Sequence, residues 1–184
     1  IITTGEGGMC VTSDETLDRR MRVLRDHGMN KSRRYWHDEV GYNYRMTNLQ
    51  AAVGCAQLER MDEFLERKRW SAEQSRERLC ETDLELPTED ADAKNVYWLY
   101  TVLLSNDRRQ DDRDDLIASL NEQGIDTRPF FYALHKLPPY QQFARDLPHS
   151  ESIAQRGITL PSFHNISEAE IDRVSDAIIE WLKR

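Results

Sequence analysis

Residues 41–52 read Gly41-Tyr42-Asn43-Tyr44-Arg45-Met46-Thr47-Asn48-Leu49-Gln50-Ala51-Ala52. The second half of this stretch is a helix start. Thr47 and Gln50 stand three apart, the spacing at which a hydroxyl and an amide each satisfy the other residue's backbone N–H. From Asn48 to Leu79 the chain has no proline and one glycine, Gly54. One long helix is therefore expected over 47–80, roughly 50 Å from end to end. Leu58, Met61 and Leu65 form its stripe, and Glu66-Arg67-Lys68-Arg69 reads as a solvated face. A helix that begins apolar and ends charged bridges two packed bodies. The first half of the stretch sets Asn43 between two tyrosines and two residues before Arg45. Amide and guanidinium groups beside a helix N-terminus suit a phosphate. An asparagine that merely turns the loop is the other reading.

Upstream, Thr4-Gly5-Glu6-Gly7-Gly8 is a glycine turn with no strand before it. The chain thus reads as opening inside a domain, with 1–46 as the end of a larger body. The turn is not a dinucleotide-binding fingerprint, which needs that strand. Met9–Thr12 reads as a short strand. Ser13 then offers a cap for a helix carrying Leu17, Met21 and Leu24, stopped at His27-Gly28. Residues 29–46 form a long aromatic loop with Tyr35, Trp36 and His37, and loops of that length in a compact domain tend to be functional.

Downstream, a polar linker leads into a second body over 81–184. Residues 96–104 are the best strand, rich in aromatic and branched side chains. Asp111 or Asp112 caps a helix through Leu120, closed by Gly124. Ile125–Phe131 reads as an edge strand, because Pro129 cannot donate to a ladder. Pro138–Arg145 and Ser150–Arg156 read as short helices. Ser167 and Glu170 form a second capping box, opening a final helix with Ile171, Val174, Ile178 and Trp181 on one face. Strands and helices mixed at short range give an α/β class.

The net charge is −8 over 184 residues, which repels a phosphate backbone and argues against nucleic-acid binding. Three widely spaced cysteines fit a reducing cytosol and argue against both disulfides and zinc. The five histidines have no metal-ligand spacing, so no metal is expected. The longest apolar run is far too short to span a membrane. His37 and His135, in aromatic and polar loops, are the better functional histidines. Arg128, before Pro129-Phe130-Phe131-Tyr132, either clamps a carboxylate or phosphate or lies over a ring at the surface.

Seven segments now stand in one order: Ile2–Met9, Arg25–Gly28, Arg34–His37, Gly41–Gly54, Ala56–Glu59, Thr127–Tyr132 and Arg156–Phe163. Together they resemble the DegT/DnrJ/EryC1/StrS sugar aminotransferases, most nearly the perosamine-forming members. The resemblance spans nearly the whole chain. It implies the C-terminal half of a fold-type I enzyme that uses pyridoxal phosphate (PLP): the end of the large domain, a connecting helix and a small α/β domain. Such enzymes move an amino group from glutamate to a nucleotide-linked keto-deoxysugar, for cell-surface polysaccharide or O-antigen, as cytoplasmic homodimers. The resemblance also implies that the Schiff-base lysine directly precedes the segment matching Ile1. Lys31, Lys68, Lys94, Lys136 and Lys183 are then not that lysine, no catalytic residue lies in the chain, and the chain alone is inactive. Asn43 matches a residue reaching the neighbouring subunit's cofactor phosphate, with Arg45 beside it. Tyr35, Trp36, His37 and Tyr42 match the part that completes the partner's substrate pocket, and Arg128 and His135 match the segment facing the nucleotide-sugar. Ala133 replaces a common proline and Cys55 a common leucine. Two alternatives stay open: a non-catalytic module binding a full-length relative, and a PLP-dependent sugar dehydratase.

Overall fold

The computed structural model describes all residues, Ile1–Arg184. Contacts divide it into two units, Ile1–Asp62 and Glu63–Arg184.

The first unit carries two helices and the loop between them. Helix α1 (Glu15–Leu24) is capped by Asp14, whose Oδ1 accepts from the N–H of Thr16 at 2.7 Å and of Leu17 at 3.1 Å. The sequence points to Ser13 as the cap. The carboxylate one residue on wins because it also meets the positive end of the helix dipole. Helix α2 (Asn48–Leu58) opens on the Thr47–Gln50 capping box. Residues 9–12 form no strand, since none of their backbone groups is paired in a ladder. A strand exists through its partner, and residue pattern alone does not supply one.

The expected single helix is two. α2 stops at Leu58, Glu59 and Arg60 turn, and α3 runs over Met61–Leu79. No proline or glycine forces the break. It separates a helix with no buried residue from one that buries Phe64, Lys68, Ser71, Ala72 and Leu79.

The second unit is built on a three-stranded antiparallel sheet in the order β1-β3-β2. Its strands are β1 (Tyr100–Leu103), β2 (Arg128–Pro129) and β3 (Gly157–Leu160). β1 is shorter than the expected 96–104, because Tyr97 takes a left-handed φ of 44°. Its outer edge is met by Glu85, which exchanges backbone bonds with Leu103 at 2.9 and 3.0 Å. β2 lies at the other edge, where its proline belongs. The central strand β3 is the one that period reading misses, since four residues ending at Pro161 show no alternation.

Helices α4 (Gln110–Glu122), α5 (Pro148–Arg156) and α6 (Glu168–Leu182) complete the unit. α4 begins two to three residues early, with Arg109 at the cap position in place of Asp111 or Asp112. Asp112 acts from the third helical position, its Oδ2 accepting the Arg109 N–H at 2.7 Å. Residues 138–143 form a 3₁₀ helix, which the two prolines at its start favour. Val102, Leu104, Leu116, Leu120, Ile158 and Ile178 are sealed in one core with Leu79 and Trp181. No helix is long and apolar enough to cross a membrane.

Candidate functional site

The candidate residues fall in both units, and each group is described within its own.

In the first unit the loop after α1 is stitched to the helix end. Gly28, with φ 68°, and Gly41 lie so close that a Cβ on Gly41 would stand 2.0 Å from the Gly28 nitrogen. Only two glycines permit that approach. It lets Tyr42 donate its N–H to Leu24 O at 2.6 Å and accept from His27 N at 2.9 Å, while Tyr44 donates to Arg25 O at 2.9 Å. Asn43 is paired with Asp26 in the same ladder. Tyr42 and Tyr44 stack at 5.2 Å on one face of this extended segment, so Asn43 points to the other. Its carboxamide is exposed and has no protein partner. Arg45 sits with its Nε 3.3 Å from an Asp26 carboxylate oxygen.

The loop's aromatic tip is held by cations and one carboxylate. Tyr35 takes a left-handed φ of 64°, and the Arg34 guanidinium lies 4.9 Å from its ring centre. Arg33 covers Trp36 at 3.9 Å, and Trp36 Nε1 donates to Asp38 at 3.0 Å. His37 Nδ1 lies 2.8 Å from the His27 carbonyl. A carbonyl can only accept, so Nδ1 carries a proton. Asn43, Arg45, His37, Tyr35, Trp36 and Tyr42 thus share one loop and are all largely exposed.

In the second unit Arg128 and His135 are not brought to one spot. Arg128 leaves β2 exposed, 3.7 Å from Asp126. It lines a groove of about 510 Å³ with Trp98, Ser162, Phe163 and Arg173. His135 lines a neighbouring apolar depression with Phe130, Tyr132, Tyr140 and Phe143. It is 8 % exposed, and its Nε2 lies 2.9 Å from Glu151, which Lys136 also reaches at 2.9 Å. His135 and then Lys136 hold the Glu151 carboxyl below the usual carboxylate range.

Several residues escaped the sequence reading. Lys68 is 8 % exposed, and Arg69 pairs with Glu89 at 2.7 Å, so the Glu66–Arg69 run is not a solvated face. Phe64, Lys68, Ala72 and Leu79 share a helical stripe; that spacing is the signal by which Lys68 could have been found. Trp98 and Arg173 carry no motif at all, and Ser162 was read only as part of the Arg156–Phe163 segment, with no role of its own.

Known proteins place the chain in a family. The DegT/DnrJ/EryC1/StrS aminotransferase family model matches residues 1–179. GDP-perosamine synthase of Caulobacter vibrioides is 45 % identical over 99 % of this chain and 50 % of its own length. The GDP-perosamine synthase of Escherichia coli O157:H7 is 39 % identical over 98 % of this chain and 48 % of its own length. Among solved structures, the aminotransferase TlmJ of Streptoalloteichus hindustanus superposes with a TM-score of 0.88 at 26 % identity, covering 98 % of this chain and 48 % of TlmJ. DesV of S. venezuelae, solved with a ketimine intermediate, gives 0.82 at 31 % identity, covering 95 % of this chain and 46 % of DesV. The chain spans about half the length of the curated relatives it matches. Enzymes of this kind depend on PLP. On its sequence and its fold alike, the chain belongs to the DegT/DnrJ/EryC1/StrS aminotransferase family.

Proposed function

We propose that these residues form the C-terminal half of a cytoplasmic, homodimeric aminotransferase that moves an amino group from glutamate to a GDP-linked keto-deoxysugar of the perosamine type. In this reading 1–46 end the large domain, 47–80 connect, and 81–184 form the small domain. The observation that carries it is Asn43: a free carboxamide on a backbone fixed by ladder bonds on either side. Donors of that kind fit the phosphate of PLP, and Arg45 adds positive charge beside them. PLP, when bound, supplies the electron sink that amino transfer needs. The protein's part is to hold and orient. Asn43 and Arg45 anchor the phosphate in the partner's pocket, and Tyr35, Trp36, His37 and Tyr42 wall that pocket. Arg128 pairs with the sugar nucleotide's diphosphate, and His135, locked to Glu151, shapes the separate depression that Phe130 and Tyr132 line, on the same substrate-facing segment. None of the five lysines of this chain carries the cofactor.

The test uses an enzyme completed with the half that the relatives possess beyond these residues. Incubated with PLP, glutamate and a GDP-linked 4-keto-6-deoxysugar, it should yield an amino sugar by mass spectrometry. Asn43→Ala in that enzyme should weaken PLP retention about 10-fold, the scale of one charge-assisted hydrogen bond. A borohydride-stable PLP adduct on any lysine of the 184-residue chain would contradict the reading. A dehydrated sugar in place of the amine would favour the dehydratase.

A further inference from the structure

β1 and β3 pair from Leu103↔Gly157 out to Tyr100↔Leu160. Two more steps of that register would set Leu99 against Pro161 and Trp98 against Ser162. The ladder stops short of them, because Pro161 has no N–H to donate and Tyr97 turns the chain away. In the place of those rungs stands an ammonium group. Lys68 Nζ reaches up from α3, donating to the Trp98 carbonyl at 3.0 Å and to the Ser162 carbonyl, with Ser162 Oγ at 3.3 Å. Three donors on one nitrogen can satisfy all three oxygens. No carboxylate joins them, and burial pulls the Lys68 pKa below its ordinary value. A buried cation facing only dipoles is costly, and a well-packed methionine would fill the same space.

The preceding residue on α3 continues the arrangement. Arg67 Nε donates to the His164 carbonyl at 3.2 Å and its Nη2 to that of Ile166, while its guanidinium lies 3.8 Å from the Trp70 ring centre. Two consecutive cations therefore hold the carbonyls of Ser162, His164 and Ile166, every second residue of the segment leaving β3. Trp98 and Phe163 line the groove that also receives Arg128, and the two residues are 59 % and 52 % exposed.

We propose that Lys68 is a positioning residue. It stands as a wedge in the end of the sheet that Pro161 and Tyr97 leave open and, by bonding both sides, fixes the spacing of the Trp98 and Ser162–Phe163 walls, so that the groove between them takes the flat base of a nucleotide. Arg67 fixes the far wall. The identity of the ligand rests on the function proposed above; the wedge does not.

The experiment compares Lys68→Met and Lys68→Arg with the parent chain by hydrogen-exchange mass spectrometry and by calorimetric titration with GDP. In Lys68→Met, exchange in 96–99 and 161–166 should quicken about 10-fold while Thr101–Leu103 stays as protected as before. GDP affinity should fall about 10-fold, because the groove walls are no longer held ready for the ligand and must be ordered on binding. Lys68→Arg, which keeps the charge and the donors, should lose less of both than Lys68→Met. If Lys68→Met does not fold, Lys68→Gln, which keeps a neutral donor, should give the same local pattern at reduced size. Unchanged exchange in the two segments overturns the proposal. So does exchange that rises evenly across the whole unit, since that marks a stabilising residue and nothing more. A parent chain that binds no GDP removes the ligand assignment alone, and the exchange contrast still decides the wedge.

Discussion

Gly41 faces the Gly28 backbone with no room for a side chain, and Tyr42, Asn43 and Tyr44 take their places from that contact. Gly41→Ala must therefore part the loop from the end of α1. Its cost should exceed about 1 kcal/mol, since backbone rather than a flexible side chain has to move. Amide exchange should quicken at residues 26–46, and PLP retention by the completed enzyme should fall with it; protection equal to the parent's would refute the close approach. A second residue-scale effect concerns Glu89. Arg69 and the Asn95 N–H hold its pKa down to about 2. A carboxyl depressed on folding stabilises above its unfolded pKa and loses that contribution as pH falls through its folded one. Glu89→Gln should thus lower the urea midpoint at pH 6, and the gap should close as pH falls from about 4.5 toward 2. An equal gap at both ends of that window would show the pair to be inert. The candidate site was legible at this scale wherever chemistry is written in local order. Asn43, Arg45 and the 35–37 tip share one loop in the sequence and in the fold. Arg128 and His135 share a motif, yet they line different depressions, because Arg128 stands on β2 and His135 in a 3₁₀ turn at Leu134–Lys136 beyond it. Lys68 and Trp98 meet only through folding, and no spacing announces that.

Among the elements, those with a self-contained signal were readable. Ser167 Oγ accepts the Glu170 N–H at 3.3 Å, and Glu170 Oε2 accepts the Ser167 N–H at 2.8 Å. The helix so capped buries Ile171, Val174, Ile178 and Trp181 as its period requires. Ser167→Ala should cost about 1 kcal/mol in urea unfolding, whereas Ser167→Asp, which keeps an acceptor at the cap, should recover most of it. No loss in Ser167→Ala would mean that packing alone sets the helix start. Elements defined by partners were less readable. Residues 9–12 and Gly157–Leu160 each carry two β-branched side chains, yet the first pair with nothing and the second lie between two strands. The stretch from Asn48 to Leu79 has helical composition throughout. Its interruption at Glu59–Arg60 follows the change from an unburied to a buried helix, which no residue type marks.

Across the whole molecule the two units differ in how they are held. The second seals a continuous core, and the first buries a single residue, Gly28. Leu49, Val53, Leu58, Tyr42 and Tyr44 of the first unit are exposed, an apolar surface of the kind that marks an interface. Sedimentation of the 184-residue chain should therefore show self-association at micromolar concentration, with the amides of α1 and α2 exchanging far faster than those of β1, β3 and α6. A clean monomer with uniform protection would contradict this. The outermost strand of the second unit has a different bearing on solution behaviour. β2 is two residues long, and one of them is proline, with an exposed arginine for company. An incoming peptide seeking to extend the sheet there finds too few hydrogen-bond donors and a positive charge. This border is thus shut to fibril growth even while the rest of the chain remains eager for company.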